Sequence, residues 1–228
     1  MIAFDAVTTG VAEVDGTLTL TVAHTIAPGS NLVLYVGVGV DSTANRTPAS
    51  CKWNGTAMTN IGSVLGSAAN QTLVLYRLVN PEVGTFNVVI VPHVSAGPND
   101  LKGAVIRSYS GVDQTTPDDT PVTDAGSDTS VSSVVSSATG DLVIDAACIN
   151  GNPTITPGGS QTQRANVNQG GAGGTMHGAS EQAGGASITM SWSWTGARRT
   201  AQVAVNVNAA GAVSPTWPGW MTSKGGWV

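Results

Sequence analysis

The sequence predicts an all-β protein, and its composition and patterning both indicate that class. Charged residues make up 10% of the 228 residues, far below the roughly 25% usual in globular proteins. Thr, Ser, Asn, Gln and Gly must therefore cover most of the surface, which suits strands better than helices. The 29 glycines and 11 prolines supply many turns, and no stretch shows a helical period of 3.6 residues.

Strands are predicted where apolar residues alternate or run together between turn residues. The stretch TLTLTVAHTI (17–26) alternates, whereas NLVLYVGVGV (31–40) is apolar on both faces, as a strand in the middle of a sandwich would be. A hairpin is predicted at CKWNGTAMT, because Asn54-Gly55 suits a type I′ turn. With these, about a dozen strands are expected, the others lying at 72–79, 84–91, 102–112, 140–149, 160–167, 174–182, 187–194 and 199–209.

A faint internal repeat relates the two halves of the chain. SNLVLYVGVGV resembles GDLVIDAACIN, GTFNVVIV resembles GASITMSW, and GAVIRSYSGV resembles TAQVAVNVNA, in the same order. Four or five strands per half would not bury both faces alone, so we expect one antiparallel two-sheet β-sandwich, jelly-roll-like, over residues 1–210. The polar segment 113–133 is expected to be a long surface loop. The expected core includes Leu34, Val36, Leu75, Val89, Ile106, Val143 and Val205.

The end of the chain, 211–228, is predicted to be an extended arm. Its prolines exclude helix and central strand, and its aromatic residues are of the type that anchors interfaces. The alternative is that the rings fold back on their own sandwich. The residues expected to bind a partner are Trp217, Pro218, Trp220, Met221 and Trp227.

Charge and hydropathy exclude several partners. The net charge is −5, and the nine basic residues are scattered, so the basic stripe of a nucleic-acid binder is missing. No apolar run approaches the roughly 18 residues of a membrane helix, and the first residues lack the pattern of a secretory signal. We therefore expect no nucleic-acid partner, no membrane partner and synthesis without a signal peptide. Cys51 and Cys148 are expected to be buried, unbridged thiols.

The sequence shows no catalytic or metal-binding constellation, so neither enzymatic activity nor a cofactor is expected. His24, His93 and His177 are far apart and lack zinc-site spacing. His24 continues the inner face of its strand and is expected in the core, whereas the other two are expected to be solvated. No Gly-x-Ser-x-Gly elbow occurs.

The acidic residues are also expected to be structural or solvated. The three glutamates, Glu13, Glu82 and Glu181, look like loop residues rather than a facing pair. Asp145 lies inside an apolar strand, where an outward-facing position is the expected one. The Asp-rich segment 113–128 lacks the spacing of an EF-hand.

Two tryptophans lie on one face of a predicted strand. Trp192 and Trp194 alternate in TMSWSWTG, so they point the same way. Met190 in register favours an inner, core face. If that face is instead the outer one, the two rings form a platform on which a glycan would stack.

A series of segments resembles a known β-sandwich module: NLVLYVGVGV, WNGTAMTNIGS, LVLYRLVNPEVGTFNVVIV, IRSYSGVDQTTP and SSATGDLVIDAACI. The module occurs in bacteriophage structural proteins and in large secreted bacterial surface proteins, and the resemblance covers residues 30–210. Its most specific element is SYSGVDQTTP (108–117), followed by GDLVI. These motifs describe strands and turns, so the resemblance implies a fold and a setting but no catalytic residue.

The resemblance implies a non-enzymatic virion structural protein: a capsid decoration (cement) protein, or a related head or tail accessory protein. It would be made in the host cytoplasm and reside on the virion surface as a homo-oligomer, with the major capsid protein or neighbouring accessory subunits as partners. The alternative is a carbohydrate-binding, lectin-like adhesion module of a phage or bacterial surface.

Overall fold

The computed structural model describes residues 1–11, 19–41, 46–66, 71–95, 101–168 and 174–211. All regular structure in these ranges is strand, and no helix in them would cross a membrane. The strands are β1 (Ala3–Val11), β2 (Leu20–Ile26), β3 (Val33–Val40), β4 (Ser50–Trp53), β5 (Thr56–Ala57), β6 (Thr59–Leu65), β7 (Thr72–Val79), β8 (Gly84–Val91), β9 (Leu101–Ser110), β10 (Val122–Val135), β11 (Leu142–Asn150), β12 (Thr156–Pro157), β13 (Thr162–Asn168), β14 (Thr175–Ala183) and β15 (Ile188–Val207). Glu13 and all five expected partner-binding residues lie outside the described residues: Trp217, Pro218, Trp220, Met221 and Trp227.

The first half of the chain forms two stacked antiparallel sheets. Layer 1 has the strand order β2-β8-β4-β5, and layer 2 has the order β1-β9-β3-β7-β6. One apolar cluster fills the space between them, with Trp53 and Ile90 from layer 1 meeting Leu34 and Ile106 from layer 2. This half is therefore a sandwich in its own right.

The second half forms another sandwich from strands that bend. Residues 122–128 of β10 and 198–207 of β15 join β11, β14 and β13 in layer 3. Beyond the bend, the other ends of β10 and β15 pair with each other and with β12 to form layer 4. Gly196, with φ of 76°, lies at the bend of β15. Layer 4 folds over the outer face of layer 3, as shown by the packing of Trp192 against Ile149 and of Met190 against Val143.

The faint sequence repeat corresponds to a repeated topology. The order β1-β9-β3-β7-β6 in layer 2 matches β10-β15-β11-β14-β13 in layer 3, and β2-β8-β4 in layer 1 matches β10-β15-β12 in layer 4. The strand registers agree as well when Tyr35 is matched with Ile144, since Tyr35 pairs with Arg77 and Ile144 pairs with Glu181. This structural match is offset by one residue from the sequence repeat, which places Tyr35 opposite Asp145. A register shift falls at the same place in β6 and β13. Each half is thus one copy of the same eight-strand plan.

Layers 2 and 3 pack face to face and join the two halves. At the centre, β3 packs against its equivalent β11. The other contacts occur in equivalent pairs: the contact of β9 with β14 corresponds to that of β15 with β7, and the contact of β1 with β13 corresponds to that of β10 with β6. Such reciprocal contacts are those of a two-fold symmetric dimer. The core between the layers includes Val33, Tyr35, Leu73, Leu75, Tyr109, Ile144, Cys148, Val203 and Val205.

The predicted all-β antiparallel sandwich is confirmed, with four layers rather than the two sheets expected. Strand β3 is buried along its whole length because it lies in the middle of this stack. The segment 113–133 is not one long loop, because β10 begins at Val122. Six of the seven expected core residues are fully buried, but Val89 is only half-buried. It belongs to layer 1, whose outer face has no layer above it in the described part of the chain.

Candidate functional site

The buried carboxylate of Asp145 is the centre of a polar cluster between layers 3 and 4. Its Oδ1 accepts hydrogen bonds from the backbone N–H and the hydroxyl of Ser180, at 2.8 and 2.7 Å. Its Oδ2 accepts from Trp192 Nε1 and Gln202 Nε2, both at 2.8 Å. Asp145 is fully buried, so the expectation that it faces outward was wrong. The side chain joins β11, β14 and both arms of β15.

The surroundings of Asp145 indicate a structural role. Burial raises the pKa of Asp145, while the donors from Ser180, Gln202 and Trp192 and the charge of Arg107 act in the opposite direction. Both oxygens already have two donors each, so neither is available to a reacting group. Gln202 extends the cluster, accepting a bond from the Ser133 hydroxyl at 2.9 Å. These side chains hold layer 4 on layer 3.

Trp192 and Trp194 lie on the inner face of their strand, so the expected core position is confirmed. Trp192 is 0% exposed and Trp194 is 8% exposed. The Trp194 indole N–H donates to the Asp128 carbonyl at 3.1 Å. The glycan platform considered for these two rings needs open ring faces, and neither ring has one.

A second network of hydrogen-bonded polar side chains surrounds His24, between layers 1 and 2. Ser108 donates its hydroxyl to Asp5 Oδ2 at 2.7 Å, and its oxygen lies 3.1 Å from His24 Nε2. Because that hydroxyl proton is used by Asp5, His24 Nε2 is the donor to Ser108 and Nδ1 accepts from Thr8, 2.8 Å away. In a catalytic triad the imidazole lies between nucleophile and carboxylate. Here a serine occupies that middle position, and the bonds tie β1, β2 and β9 together.

We predict that His24 makes the protein less stable in mild acid. Burial lowers the pKa of His24 below its usual 6.5, an effect that exceeds the opposing influence of Asp5. As the pH falls, the His24 imidazole therefore becomes protonated at a higher pH in the unfolded chain than in the folded chain. The free energy of unfolding then falls as the pH drops below 6.5 towards the folded-state pKa. Urea unfolding from pH 8 to pH 5 measures the slope for the wild type and for His24→Gln. The variant is expected to lose less stability over this range; equal slopes would contradict the prediction.

Charged groups also meet between layers 2 and 3, at matching positions of the two halves. Arg77 Nη1 contacts both oxygens of Asp118, at 2.6 and 2.8 Å. At the matching position, Glu181 accepts from Tyr109 at 2.9 Å and from Arg164. The Arg164 guanidinium also lies 3.7 Å from the centre of the Phe4 ring. Each of the two positions thus contains an arginine paired with a carboxylate, and these ion pairs contribute to the packing of the two halves.

Two further polar residues lie inside the fold, against expectation. His177 is 1% exposed and its ring occupies the space where Gly39 lacks a side chain. Glu181 is 7% exposed and belongs to β14 rather than to a loop. His93 is half-buried near the surface, and its Nδ1 accepts from the Ser95 N–H at 3.1 Å.

The cysteines are confirmed as buried and unbridged. Burial raises the pKa of the Cys51 thiol to about 12, so it is protonated at neutral pH and a poor nucleophile. Its Sγ contacts Met58 Sδ at 3.6 Å. Among the described residues, no group of three or more His, Cys, Asp or Glu side chains is placed to hold a metal ion.

The outer faces of layers 1 and 4 carry exposed side chains. Short uncharged side chains cover both, with Lys52 as a charged exception at one side of layer 1. The outward residues of β2 and β8 are Thr21, Ala23, Thr25, Thr85, Asn87, Val89 and Val91. Those of layer 4 are Ser130, Ser132, Val134, Thr189, Ser191 and Ser193. Neither face stood out in the sequence, because Ser and Thr are spread along the whole chain.

Comparison with protein-family models, with curated proteins and with solved structures found no match.

Proposed function

We propose that the protein is a non-enzymatic structural protein of a bacteriophage virion, a capsid decoration protein or a related head or tail accessory protein. It would sit on the virion surface as a homo-oligomer and bind the major capsid protein or neighbouring accessory subunits through its arm, 211–228. The phage setting is supported by the resemblance of residues 30–210 to the module of phage structural proteins.

The observation that carries the proposal is the distribution of polar groups. The polar side chains that would suit catalysis, Asp145 and His24, are buried and hydrogen-bonded to side chains of neighbouring strands. The exposed sheet faces carry Thr, Ser, Asn and Val instead. Faces with little charge let neighbouring subunits pack closely without repulsion. This arrangement suits a rigid building block.

The position of the last described residues suits an arm that leaves the sandwich. The Ala210 N–H donates to the Gly111 carbonyl at 2.9 Å, and Ala209 pairs with Val112. The chain is thus hydrogen-bonded to the sandwich up to this point. The residues proposed to bind the partner, Trp217, Trp220 and Trp227 among them, all follow it.

The alternative function, a carbohydrate-binding adhesion module, loses the site first considered for it. Both Trp192 and Trp194 are buried, so a glycan would have to bind elsewhere on the surface.

Deleting residues 215–228 is predicted to leave a folded, soluble domain that no longer joins virions. The deletion removes the proposed anchors and keeps the contacts of Ala209 and Ala210. Virions purified from cells that make either form would be assayed for the protein by mass spectrometry, with circular dichroism as a check on folding. The full-length variant with Trp217, Trp220 and Trp227 all changed to Ala is the matched control for chain length.

The outcomes separate the two accounts of the arm. Loss of incorporation by a folded truncated protein supports the proposal. Normal incorporation of the truncated protein would overturn docking through the arm, and unfolding would show that the rings fold back on their own sandwich. Absence of the full-length protein from virions would overturn the virion assignment itself.

A further inference from the structure

A surface depression lies on the outer face of layer 1, beside the turn between β4 and β5. Its volume is about 360 Å³, and it is open to solvent rather than enclosed. None of the six side chains and backbone positions that line it is charged. They are Asn54, Gly55, Thr85, Phe86, Asn87 and Val89.

The wall of the depression is held rigidly by the residues beneath it. Asn54 and Gly55 both have positive φ, 42° and 80°, as the predicted type I′ turn requires. Trp53 is 1% exposed, and its indole N–H donates to the Glu82 carbonyl at 3.2 Å. Phe86 packs edge-on against the Trp53 ring, with centroids 5.6 Å apart. A site that is held in place before binding loses less entropy when a ligand binds.

Three polar side chains line the depression. Asn54 Nδ2 donates to the Glu82 carboxylate at 2.8 Å, which fixes the amide and leaves its oxygen as an acceptor. The Asn87 amide has no hydrogen bond within the described residues and offers both a donor and an acceptor. Thr85 adds a hydroxyl that shares a 2.8 Å bond with Thr25, and Val89 adds apolar surface.

The hairpin that forms this wall is not required by the sandwich. In the second half, the matching strands β12 and β13 are joined without a strand like β5, and Gln161 closes the connection by accepting from the Ser191 N–H at 2.7 Å. The same eight-strand plan is therefore completed without the hairpin. Its presence in the first half alone is what a dedicated site would require.

We propose that this depression binds a neutral sugar. Sugars present alternating hydroxyl donors and acceptors around an apolar ring face, and amides, a hydroxyl and a valine side chain complement both features. The lining itself is uncharged. Two charged groups beside it, Lys52 next to Val89 and the Glu82 carboxylate bonded to Asn54, have opposite signs, so the site favours neither an acidic nor a basic ligand. The proposal does not depend on the virion assignment, since a structural protein and an adhesion module can both carry such a site.

The first experiment titrates the full chain with neutral oligosaccharides. Maltotriose, chitotriose, lactose and mannobiose are added in turn, and amide signals are followed by ¹H–¹⁵N NMR. Saturable shifts of the Asn54, Gly55 and Asn87 signals with at least one sugar are expected. The absence of saturable shifts with all four would overturn the proposal.

Matched variants locate the binding. Asn87→Ala removes an outward amide from β8 and is expected to weaken binding about tenfold, as the loss of two hydrogen bonds implies. Ser193→Ala changes an outward side chain of β15 in layer 4 and is expected to leave binding unchanged. Equal affinity of wild type and Asn87→Ala would overturn the proposal.

Another occupant is distinguished in the same spectra. If deleting residues 215–228 shifts the depression's signals while no sugar does, the site belongs to the chain's own end. That outcome would also overturn the proposal.

Discussion

Replacing Asp145 by Ala is expected to lower the free energy of unfolding by about 3–5 kcal/mol. The substitution removes the acceptor of four buried donor hydrogens: the Ser180 N–H and hydroxyl, the Trp192 indole N–H and one hydrogen of the Gln202 amide. Gln202 Nε2 keeps its bond to the Met190 carbonyl, at 3.2 Å. Each unsatisfied buried donor costs on the order of 1–3 kcal/mol. Removing the carboxylate also removes the cost of burying its charge, so the net loss is smaller than the sum over the four donors. Water does not easily replace the carboxylate, because Asp145 is fully buried.

Two controls separate the loss of the acceptor from the loss of an aspartate. Asp145→Asn keeps the shape and one acceptor oxygen but turns an NH₂ group toward two of the donors, so an intermediate loss of about 2 kcal/mol is expected. Asp128→Ala removes an exposed carboxylate that bonds only to Thr129 among the described residues and is expected to cost less than about 1 kcal/mol. Urea unfolding measures all three. Wild-type stability of Asp145→Ala would contradict the structural role of the cluster.

The strands that follow simple patterns were predictable from the sequence. β7 and β8 coincide with the predicted ranges, and the burial of β3 on both faces followed from its apolar residues. The hairpin at Asn54-Gly55 followed from turn chemistry alone. In each case the deciding interactions are local or are properties of one strand.

The errors arose where buried positions are polar. β10 has Val131, Ser133 and Val135 on its inner face, and the serine hides the alternation because its partner, Gln202, is distant in sequence. Asp145 was expected outside for the same reason, since its donors come from β14 and β15. A single sequence does not show which distant donor will satisfy a polar residue.

The number of layers depended on a quantity that local patterns do not contain. Each half repeats the same plan. Its apolar residues fill the core of its own sandwich and also cover one outer face, which packs against the other half. The sequence repeat was visible. The sequence did not show that the first half crosses between its layers with separate strands, whereas the second half crosses with the bent strands β10 and β15. For the candidate sugar site, Asn54 and Gly55 were visible as a turn, whereas their proximity to Asn87 depends on the pairing of β4 with β8.

Replacing Leu75 by Ala is expected to lower the free energy of unfolding by about 2–4 kcal/mol. Leu75 is 0% exposed and belongs to the core between layers 2 and 3, so the truncation leaves a cavity between the two halves. For a chain of this size the melting temperature would fall by roughly 5–15 °C. Leu65→Ala, the same change at a side chain that is 38% exposed, is the control and is expected to have a smaller effect.

Calorimetry on a second variant tests whether the halves unfold together. Val143 is 0% exposed and lies between layers 3 and 4, inside the second half. Because the core between layers 2 and 3 joins the halves, Leu75→Ala and Val143→Ala are expected to shift one and the same transition. If the wild type shows two transitions, or if Val143→Ala moves only part of the heat absorption, then each sandwich is an independent unit and the interface between layers 2 and 3 contributes little to stability.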